Sequence, residues 1–555
     1  MITRPSRLSL EGKTAILERF WNKDTTLWAQ DLETQSAVGN RLGWLDVIPK
    51  MRDQLDDIKS FAEDIHNGDF SRVVLLGMGG SSLCPLILSK IFGPAEGWPD
   101  LCVLDSTDPD VIEAVANDGD LEDTLFIFAS KSGTTVEPNS QFAYFWNKLS
   151  GSVAERGSHF VAITDPATPL ELLAKERQFR KIFLNPADIG GRYSALSFFG
   201  LVPAALLGID LDRLLNRAED MVSKCGPDVG VSENPGFLLG EFLGEMAAQC
   251  KDKLSILTDP DVEPFGLWLE QLIAESSGKE TSGIVPIVGE SPGIPGFYGG
   301  DRIFVYLRTT GELDGFVGEL REAEFPLMVL ELEDLYDLGG EFFRWEMATA
   351  LACFFLGINA FDEPDVRLAK EKTKEVVDIY VKERKMPTKF WIDPQSQINF
   401  KPSRMLASSM KSLPRALRDI FLVLPSWGYL AFLPYLPYDK DVEDIILEMR
   451  NMVRQEKGCS TTMGFGPRYL HSTGQLHKGG PMSSAFIIFT RRRAKDYEEI
   501  PGYGLSFWHL QFAQAVGDFQ ALSEAKRRVV HIHLPVNFKL GLQSFSKVLS
   551  RACHL

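Results

Sequence analysis

The stretch RVVLLGMGGSS at residues 72–82 decides the fold, because an apolar, β-branched run ends directly in a loop of glycine and serine. Four further runs of this kind follow, separated by segments of helical length: LCVLD (101–105), TLFIFAS (124–130), HFVAIT (159–164) and KIFLN (181–185). Nearly continuous apolar runs are typical of strands buried on both faces of a parallel sheet, with helices between them. The pattern predicts a doubly wound, mainly parallel sheet.

A second series of such runs predicts a second sheet of the same class: KLSILTD (253–259), IVPIV (284–288), RIFVYLR (302–308) and PLMVLELE (326–333). A third group alternates with helical segments: YLAFLPY (429–435), SAFIIFT (484–490) and RRVVHIHL (527–534). We therefore predict an α/β protein with two doubly wound sheets, helical flanks and a C-terminal α/β extension. The predicted divisions are a helical flank (1–65), a first sheet domain (66–210), a helical connector (211–250), a second sheet domain (251–385) and the extension (386–555).

Composition and charge exclude several functional classes. The 555 residues carry 58 Lys and Arg against 76 Asp and Glu, a formal net charge of −18 that repels nucleic acid and anionic membranes. The N-terminus lacks the apolar core of a signal peptide, and the most apolar stretch (194–210) is too short to span a membrane. The seven cysteines show no metal-ligand spacing. We expect a cytoplasmic protein without nucleic-acid, membrane or metal partners.

Two loops that follow predicted strands have the chemistry of an anion site. GMGGSS (77–82) offers backbone N–H groups and hydroxyls, and SKSGTT (130–135) combines four hydroxyls with a lysine and a glycine. Both loops fall at the ligand-binding edge of an open α/β sheet, ahead of a helix N-terminus. The pair predicts a cradle for a phosphate monoester, whereas either loop alone could be a tight turn without a ligand.

Two further motifs carry charged side chains at chain breaks. Arg192 lies in the glycine turn DIGGRYS (188–194), from which its guanidinium could reach an oxyanion or remain at the surface. Glu275 ends the helical pattern WLEQLIAESSGK (268–279). A helix C-terminus tends to raise the pKa of a carboxyl, which suits a general base, although a solvated Glu is the simpler interpretation.

Taken in order, many short motifs resemble the phosphoglucose isomerases, and most closely the isomerase half of fused transaldolase/glucose-6-phosphate isomerases. The matching pieces are RLGWLD (41–46), GMGGSSL (77–83), ASKSGTTVEP (129–138), IGGRYS (189–194), ESSGK (275–279), EFFRWEMATA (341–350), GINAFDEPDV (357–366), FGPRYLHSTGQLHKGGP (465–481) and AQAVGD (513–518). The resemblance implies sugar-isomerase-type sheets and interconversion of glucose 6-phosphate and fructose 6-phosphate through a cis-enediolate, a step of glycolysis and gluconeogenesis.

The resemblance also implies roles for individual residues. Five side chains would hold the sugar phosphate: Ser81, Ser130, Lys131, Ser132 and Thr135. Arg192 would stabilise the enediolate oxygens, Glu275 would move the proton between the first two carbons, and Lys370 would assist ring opening. The family resemblance implies no cofactor and favours a homodimer. A non-catalytic sugar-phosphate sensor and an isomerase that also accepts mannose 6-phosphate are the alternatives.

The chain departs from the family pattern in two respects. The segment FDEPDVRLAK (361–370) has Glu363 where the family has Gln, and an acid beside a phosphate site needs a cation such as Arg367 to pair with it. In addition, no histidine lies between Glu275 and Lys370, where the common isomerases carry their ring-opening imidazole. We expect the C-terminal extension to supply this imidazole, from either His471 or His477.

Overall fold

A computed structural model describes residues 8–151, 153, 155–409 and 411–554. The strands are β1 Arg72–Leu76, β2 Asp100–Leu104, β3 Thr124–Ala129, β4 Phe160–Thr164, β5 Lys181–Leu184, β6 Lys253–Thr258, β7 Val285–Ile287, β8 Arg302–Arg308, β9 Leu327–Glu331, β10 Trp391–Ile392, β11 Asn399–Pro402, β12 Tyr429–Pro434, β13 Ser460–Met463, β14 Ser484–Arg491 and β15 Arg528–Leu534.

The helices alternate with these strands along most of the chain. They are α1 Leu10–Trp21, α2 Leu32–Gly39, α3 Val47–Arg52, α4 Leu55–His66, α5 Leu83–Phe92, α6 Pro109–Asn117, α7 Val136–Lys148, α8 Pro169–Glu176, α9 Phe198–Leu206, α10 Leu211–Lys224, α11 Pro235–Ala248, α12 Phe265–Ser277, α13 Asp314–Glu322, α14 Leu338–Leu356, α15 Val366–Glu383, α16 Leu413–Val423, α17 Lys440–Lys457, α18 Gly474–Gly479, α19 Phe507–Glu524 and α20 Phe538–Cys553. Within the described ranges, none of these helices has the length and apolar character needed to cross a bilayer.

The first sheet has the strand order β2-β1-β3-β4-β5, and all of its pairs are parallel. Strands β1, β3 and β4 are buried along their whole length, as continuous apolar runs require. The order reverses between β1 and β3, and ligands of open α/β sheets bind outside the carboxyl ends of the strands at such a point. The two loops of the predicted phosphate cradle follow these two strands.

The second sheet repeats this arrangement with the order β7-β6-β8-β9, again entirely parallel. The segment predicted as a connector folds as α10 and α11, and both helices pack against α14 of the second domain. The α/β prediction with two mainly parallel sheets is confirmed.

The C-terminal extension has a sheet of its own, with the order β10-β11-β15-β14-β12-β13. Its four strands β15, β14, β12 and β13 run parallel, whereas β11 and β10 pair antiparallel at one edge. This third unit packs onto the second sheet domain through α15 against α19 and α12 against α18, and it pairs with the first sheet domain through Arg468 with Asp105 and Arg491 with Asp108. The extension is therefore an integral part of the molecule.

The N-terminal flank packs against the loop that carries Arg192. The Trp44 ring is fully buried and stacks on Tyr193, with ring centroids 5.2 Å apart. The backbone N–H of Gly43 donates to the Asp188 carbonyl oxygen over 2.9 Å. These contacts hold the DIGGRYS turn against the N-terminal flank.

Candidate active site

A cavity of about 480 Å³ opens at the carboxyl ends of β1 and β3. Eight of the ten predicted site residues line it: Ser81, Lys131, Ser132, Thr135, Arg192, Glu275, Lys370 and His471. They come from both sheet domains and from the C-terminal extension. The cavity also includes Arg41 of the N-terminal flank, which the sequence analysis did not single out.

The phosphate cradle forms around the N-terminus of α7. Thr135 is the N-cap residue of this helix, and Ser81, Ser132 and Thr135 line the cavity beside it. Unpaired N–H groups and the helix dipole make such an end favourable for an anion. The cradle thus has the donor set that a phosphate requires.

Two residues of the predicted cradle, Ser130 and Lys131, use their side chains for contacts within the protein. Ser130 is 2% exposed and does not line the cavity; its hydroxyl donates to Thr135 Oγ1 (3.3 Å) and accepts from the Gly133 N–H (3.1 Å). Ser130 therefore shapes the loop rather than facing a ligand, which corrects its predicted role. Lys131 does line the cavity, but its ammonium group forms an ion pair with Asp165 and donates to the Ala187 carbonyl oxygen.

A close backbone approach fixes the two glycine loops relative to each other. A Cβ atom at Gly80 would lie 2.0 Å from the Gly191 carbonyl oxygen, well inside van der Waals contact. Only glycine allows the loop after β1 to meet the DIGGRYS turn in this way.

Glu275 and Arg192 form a buried ion pair at the opposite side of the cavity. Glu275 lies in the last turn of α12, as predicted, and its Oε1 atom is 3.1 Å from Arg192 Nη1. The guanidinium is 5% exposed and also donates to Ser276 Oγ (2.8 Å) and to the Ala360 carbonyl oxygen (2.7 Å). Arg192 is thus a rigid positive charge beside the carboxylate of Glu275.

Glu363 pairs with the same guanidinium. Its Oε2 atom accepts from Arg192 Nη1 over 3.2 Å. The cation that the sequence requires beside this acid is Arg192 and not Arg367, because Arg367 is exposed and pairs with Glu371. The acid that replaces the family's Gln is therefore balanced by Arg192.

The surroundings of Glu275 raise the pKa of its carboxyl. Burial is the largest cause, and the charge of Glu363 adds to it. The charge of Arg192 and a hydrogen bond from Gln271 Nε2 (3.0 Å) act in the opposite direction. A carboxyl with a raised pKa is a stronger base when ionised, which suits proton abstraction.

His471 reaches the cavity from the C-terminal extension and is oriented by a buried acid. Its Nε2 atom lies 2.9 Å from Glu137 Oε1, which also accepts from Gln514 Nε2 over 2.8 Å. Burial acts to raise the pKa of Glu137, but the charge and hydrogen bond of His471 and the charge of Lys370 lower it overall. Glu137 is therefore ionised and fixes the orientation of the imidazole.

Glu137 and Gln514 form a hydrogen-bonded cluster with His471, and neither was among the predicted site residues. Glu137 belongs to the quoted motif ASKSGTTVEP (129–138), two residues beyond the predicted cradle, and Gln514 belongs to AQAVGD (513–518). Both motifs were recognised in the sequence, but the hydrogen bond between Gln514 and Glu137 joins residues 377 positions apart in the chain. The main-chain oxygen of His471 is held as well, by Gln271 Nε2 over 2.8 Å.

His477, the other candidate imidazole, is not at the cavity. It is 2% exposed, its Nδ1 atom is 3.2 Å from the Tyr429 hydroxyl, and its ring contacts Phe486 in the third unit. Burial lowers the pKa of this imidazole well below its usual value, with the charges of Lys478 and Arg527 acting in the same direction. The prediction for His477 is corrected, since it is a core residue.

The phosphoglucose isomerase family model matches residues 34–290, the segment that contains the cradle, Arg192 and Glu275. Over this segment the chain is similar to the phosphoglucose isomerases. Among curated relatives, a probable glucose-6-phosphate isomerase of Methanococcus maripaludis is 25% identical over 401 residues, covering 65% of this chain and 89% of that protein.

Two solved structures extend the comparison. A hypothetical protein of Thermus thermophilus is 25% identical with a TM-score of 0.58, covering 66% of this chain and 95% of that one. A glucose-6-phosphate isomerase of Chlamydia trachomatis shares the fold at 21% identity with a TM-score of 0.51, covering 70% of this chain and 82% of that one. The particular likeness to the fused transaldolase enzymes stays a prediction.

Proposed function

We propose that this protein is a glucose-6-phosphate isomerase that interconverts glucose 6-phosphate and fructose 6-phosphate. The observation that carries the proposal is one cavity in which a phosphate cradle, the Glu275–Arg192 pair and His471 meet. The names of the curated relatives and the family match point to the same reaction. The homodimer and the cytoplasmic location stay predictions.

In the proposed reaction the phosphate of the substrate lies at the N-terminus of α7. Hydroxyls of Ser81, Ser132 and Thr135 and the first N–H groups of the helix donate to it. This anchor orients the far end of the open-chain sugar toward Glu275. Binding of the phosphate is the same before and during the reaction, so it contributes to affinity rather than to turnover.

Glu275 acts as the base in the isomerisation step. Its carboxylate removes the proton from the carbon next to the carbonyl, which gives a cis-enediolate, and returns it to the former carbonyl carbon, while the hydroxyl proton moves to the former carbonyl oxygen. Arg192 lies beside the developing negative charge on the two oxygens. A positioned base contributes about 10² to 10⁴ in rate, and fixed charge a further few kcal/mol.

Ring opening precedes that step and is assigned to His471. An ionised Glu137 accepts from its Nε2–H, which leaves Nδ1 as the nitrogen that exchanges a proton with the sugar. The exposed ammonium group of Lys370 lines the same side of the cavity and offsets charge near the ring oxygen. His471, Glu137 and Lys370 come from three separated parts of the chain.

A coupled assay tests the proposal. Purified protein is supplied with fructose 6-phosphate, and glucose 6-phosphate is detected through reduction of NADP by glucose-6-phosphate dehydrogenase. We expect turnover well above about 1 s⁻¹, within the range of ordinary enzymes. Saturable binding of fructose 6-phosphate without turnover would instead favour a sugar-phosphate sensor. Parallel assays with mannose 6-phosphate define the epimer preference.

A further inference from the structure

A second cavity, of about 370 Å³, adjoins the sugar cavity and shares Thr135, Val366, Lys370 and His471 with it. Its other walls come from α15, from α19 and from the turn that precedes α19. Apolar side chains dominate this lining: Val377, Leu470, Tyr503, Leu505 and Leu510. None of the roles proposed for isomerisation uses this space.

The rim of this cavity is positively charged. Lys370 and Lys374 lie one turn apart on α15, and both line the cavity. Within the part of the chain that the structure describes, no carboxylate lies within ion-pair distance of either ammonium group. The one acid in the described lining, Glu137, accepts from His471 and Gln514, and Lys370 acts on it through its charge without forming an ion pair. An apolar chamber with two unpaired ammonium groups at its edge is complementary to an apolar anion.

We propose that this second cavity binds a small apolar monocarboxylate, an aromatic or short aliphatic acid. The apolar body lies against Val377, Leu470 and Leu505, and the carboxylate accepts from Lys370 and Lys374. A neutral ligand would leave both lysines without a partner, and an organic cation would be repelled by them. The volume suits a molecule of one or two rings.

Occupancy of the second cavity acts on the sugar cavity through the shared residues. A carboxylate that engages Lys370 withdraws this ammonium group from the sugar, and an apolar ring beside His471 limits the approach of a substrate to the imidazole. The ligand therefore slows isomerisation. This inhibitory part rests on the proposed function, whereas the binding part does not.

Calorimetric titration of the full chain tests the binding part directly. The probes are 2-naphthoate and its neutral analogue 2-naphthamide. We expect naphthoate to bind with a dissociation constant below about 1 mM and at least about tenfold more tightly than the amide, because only the acid pairs with the lysines. Equal binding of the two probes, or binding of neither, overturns the proposal.

Variants locate the probe within the molecule. Lys374→Gln should weaken naphthoate roughly 3- to 5-fold, as expected for loss of one partly exposed ion pair, and leave the amide unchanged. Lys382→Gln, an exposed lysine at the end of the same helix, is the matched control and should change neither.

Val377→Trp, which fills the chamber, should abolish binding of both probes. Full retention of naphthoate binding by Val377→Trp or by Lys374→Gln would place the probe elsewhere and refute the assignment.

The inhibitory part has its own readout. Naphthoate should lower kcat/KM for fructose 6-phosphate in the wild-type protein, and the same concentration should inhibit Lys374→Gln less. If the protein has no isomerase activity, the proposed function fails while the calorimetry still decides the binding site. If the enzyme is active and naphthoate binds without slowing it, the coupling between the two cavities is refuted.

Discussion

At the scale of single residues, one nitrogen of Arg192 is shared between two acids. Its Nη1 atom lies 3.1 Å from Glu275 and 3.2 Å from Glu363. The charge of Glu363 raises the pKa of Glu275, whereas Arg192 lowers it. Glu363 therefore adjusts the base without touching the reacting carbons in the proposed mechanism.

Glu363→Gln should move the acid limb of the pH profile to lower pH. The proposed mechanism requires ionised Glu275, so we expect the rate to fall as pH drops through the pKa of this carboxyl. Removal of the charge at residue 363 lowers that pKa, and we expect a shift of about 0.5 to 1 pH unit. The measurement is kcat/KM between pH 4 and 9.

The control for this shift is Glu371→Gln, an exposed acid on α15 that pairs with Arg367. Its profile should coincide with that of the wild-type protein. If the acid limb of the pH profile stays in place or moves to higher pH in Glu363→Gln, the charge of Glu363 does not raise the pKa of Glu275.

Glu275→Gln should lower kcat by at least about 10², because the amide cannot accept the proton, and it should leave KM nearly unchanged. Glu270→Gln on the same helix is the matched control. Glu270 faces a different cavity, and burial raises the pKa of its carboxyl to about 8, so an amide imitates its neutral form. Turnover of Glu275→Gln within a few fold of the wild-type value would show that another residue is the base.

Replacement of His471 should mainly reduce turnover, whereas replacement of His477 should mainly reduce stability. His471→Ala is expected to lose most turnover of cyclic substrate while the variant is still folded, although it also leaves the buried Glu137 carboxylate without its imidazole partner. His477→Ala removes a buried ring and should cost about 1–3 kcal/mol of unfolding free energy, measured by denaturant titration. Normal turnover in His471→Ala would assign ring opening to Lys370 and water.

At the scale of elements, the predicted strands of all three sheets are present because long apolar runs have few alternatives to a buried strand. Three strands were missed: β10, β11 and β13. They contain only two to four residues, and β11 ends in Pro402. Their pairing depends on neighbours distant in the chain rather than on their own pattern.

The close approach of the glycine loops gives a prediction at the same scale. Gly80→Ala forces the Cβ atom against the Gly191 carbonyl oxygen, which should cost about 1–3 kcal/mol of unfolding free energy and raise KM. Gly191→Ala is the control for stability, because its Cβ atom would meet no atom within 4 Å. Equal unfolding free energies for the two variants would contradict this account.

Candidate site residues could be predicted from the sequence only where a single short motif contained the side chains that the proposed chemistry needs. Glu275 and Arg192 stand in short motifs of fitting composition, and the structure brings them together. The pairing of His471 with Glu137 spans 334 positions, and no local pattern distinguishes His471 from His477. Only the packing of the third unit separates the imidazole that faces the cavity from the one in the core.

At the scale of the whole molecule, buried ion pairs connect the first sheet domain to the C-terminal extension. Arg468 donates to both carboxylate oxygens of Asp105 over 2.5 and 2.8 Å, and Asp105 is fully buried. Arg491 Nη2 donates to both carboxylate oxygens of Asp108, over 2.9 and 3.1 Å. These pairs lie between parts of the chain that the sequence analysis treated as separate.

Arg468→Ala should reduce the unfolding free energy by about 3–5 kcal/mol, because it leaves the carboxylate of Asp105 buried without its partner. Arg367→Ala, which removes an exposed arginine on α15, should change it by less than about 0.5 kcal/mol. Guanidinium titration followed by circular dichroism measures both. A small effect at Arg468 would indicate that the extension packs only loosely against the first sheet.

The contact between Glu137 and His471 has a consequence for recombination between related genes and for protein engineering. The carboxylate comes from the first sheet domain and the imidazole from the extension, so any crossover between positions 137 and 471 joins partners from different parents. Gln514 lies still further along the chain and completes the same cluster. Gene shuffling among relatives should therefore yield working chimeras chiefly when both ends descend from one parent.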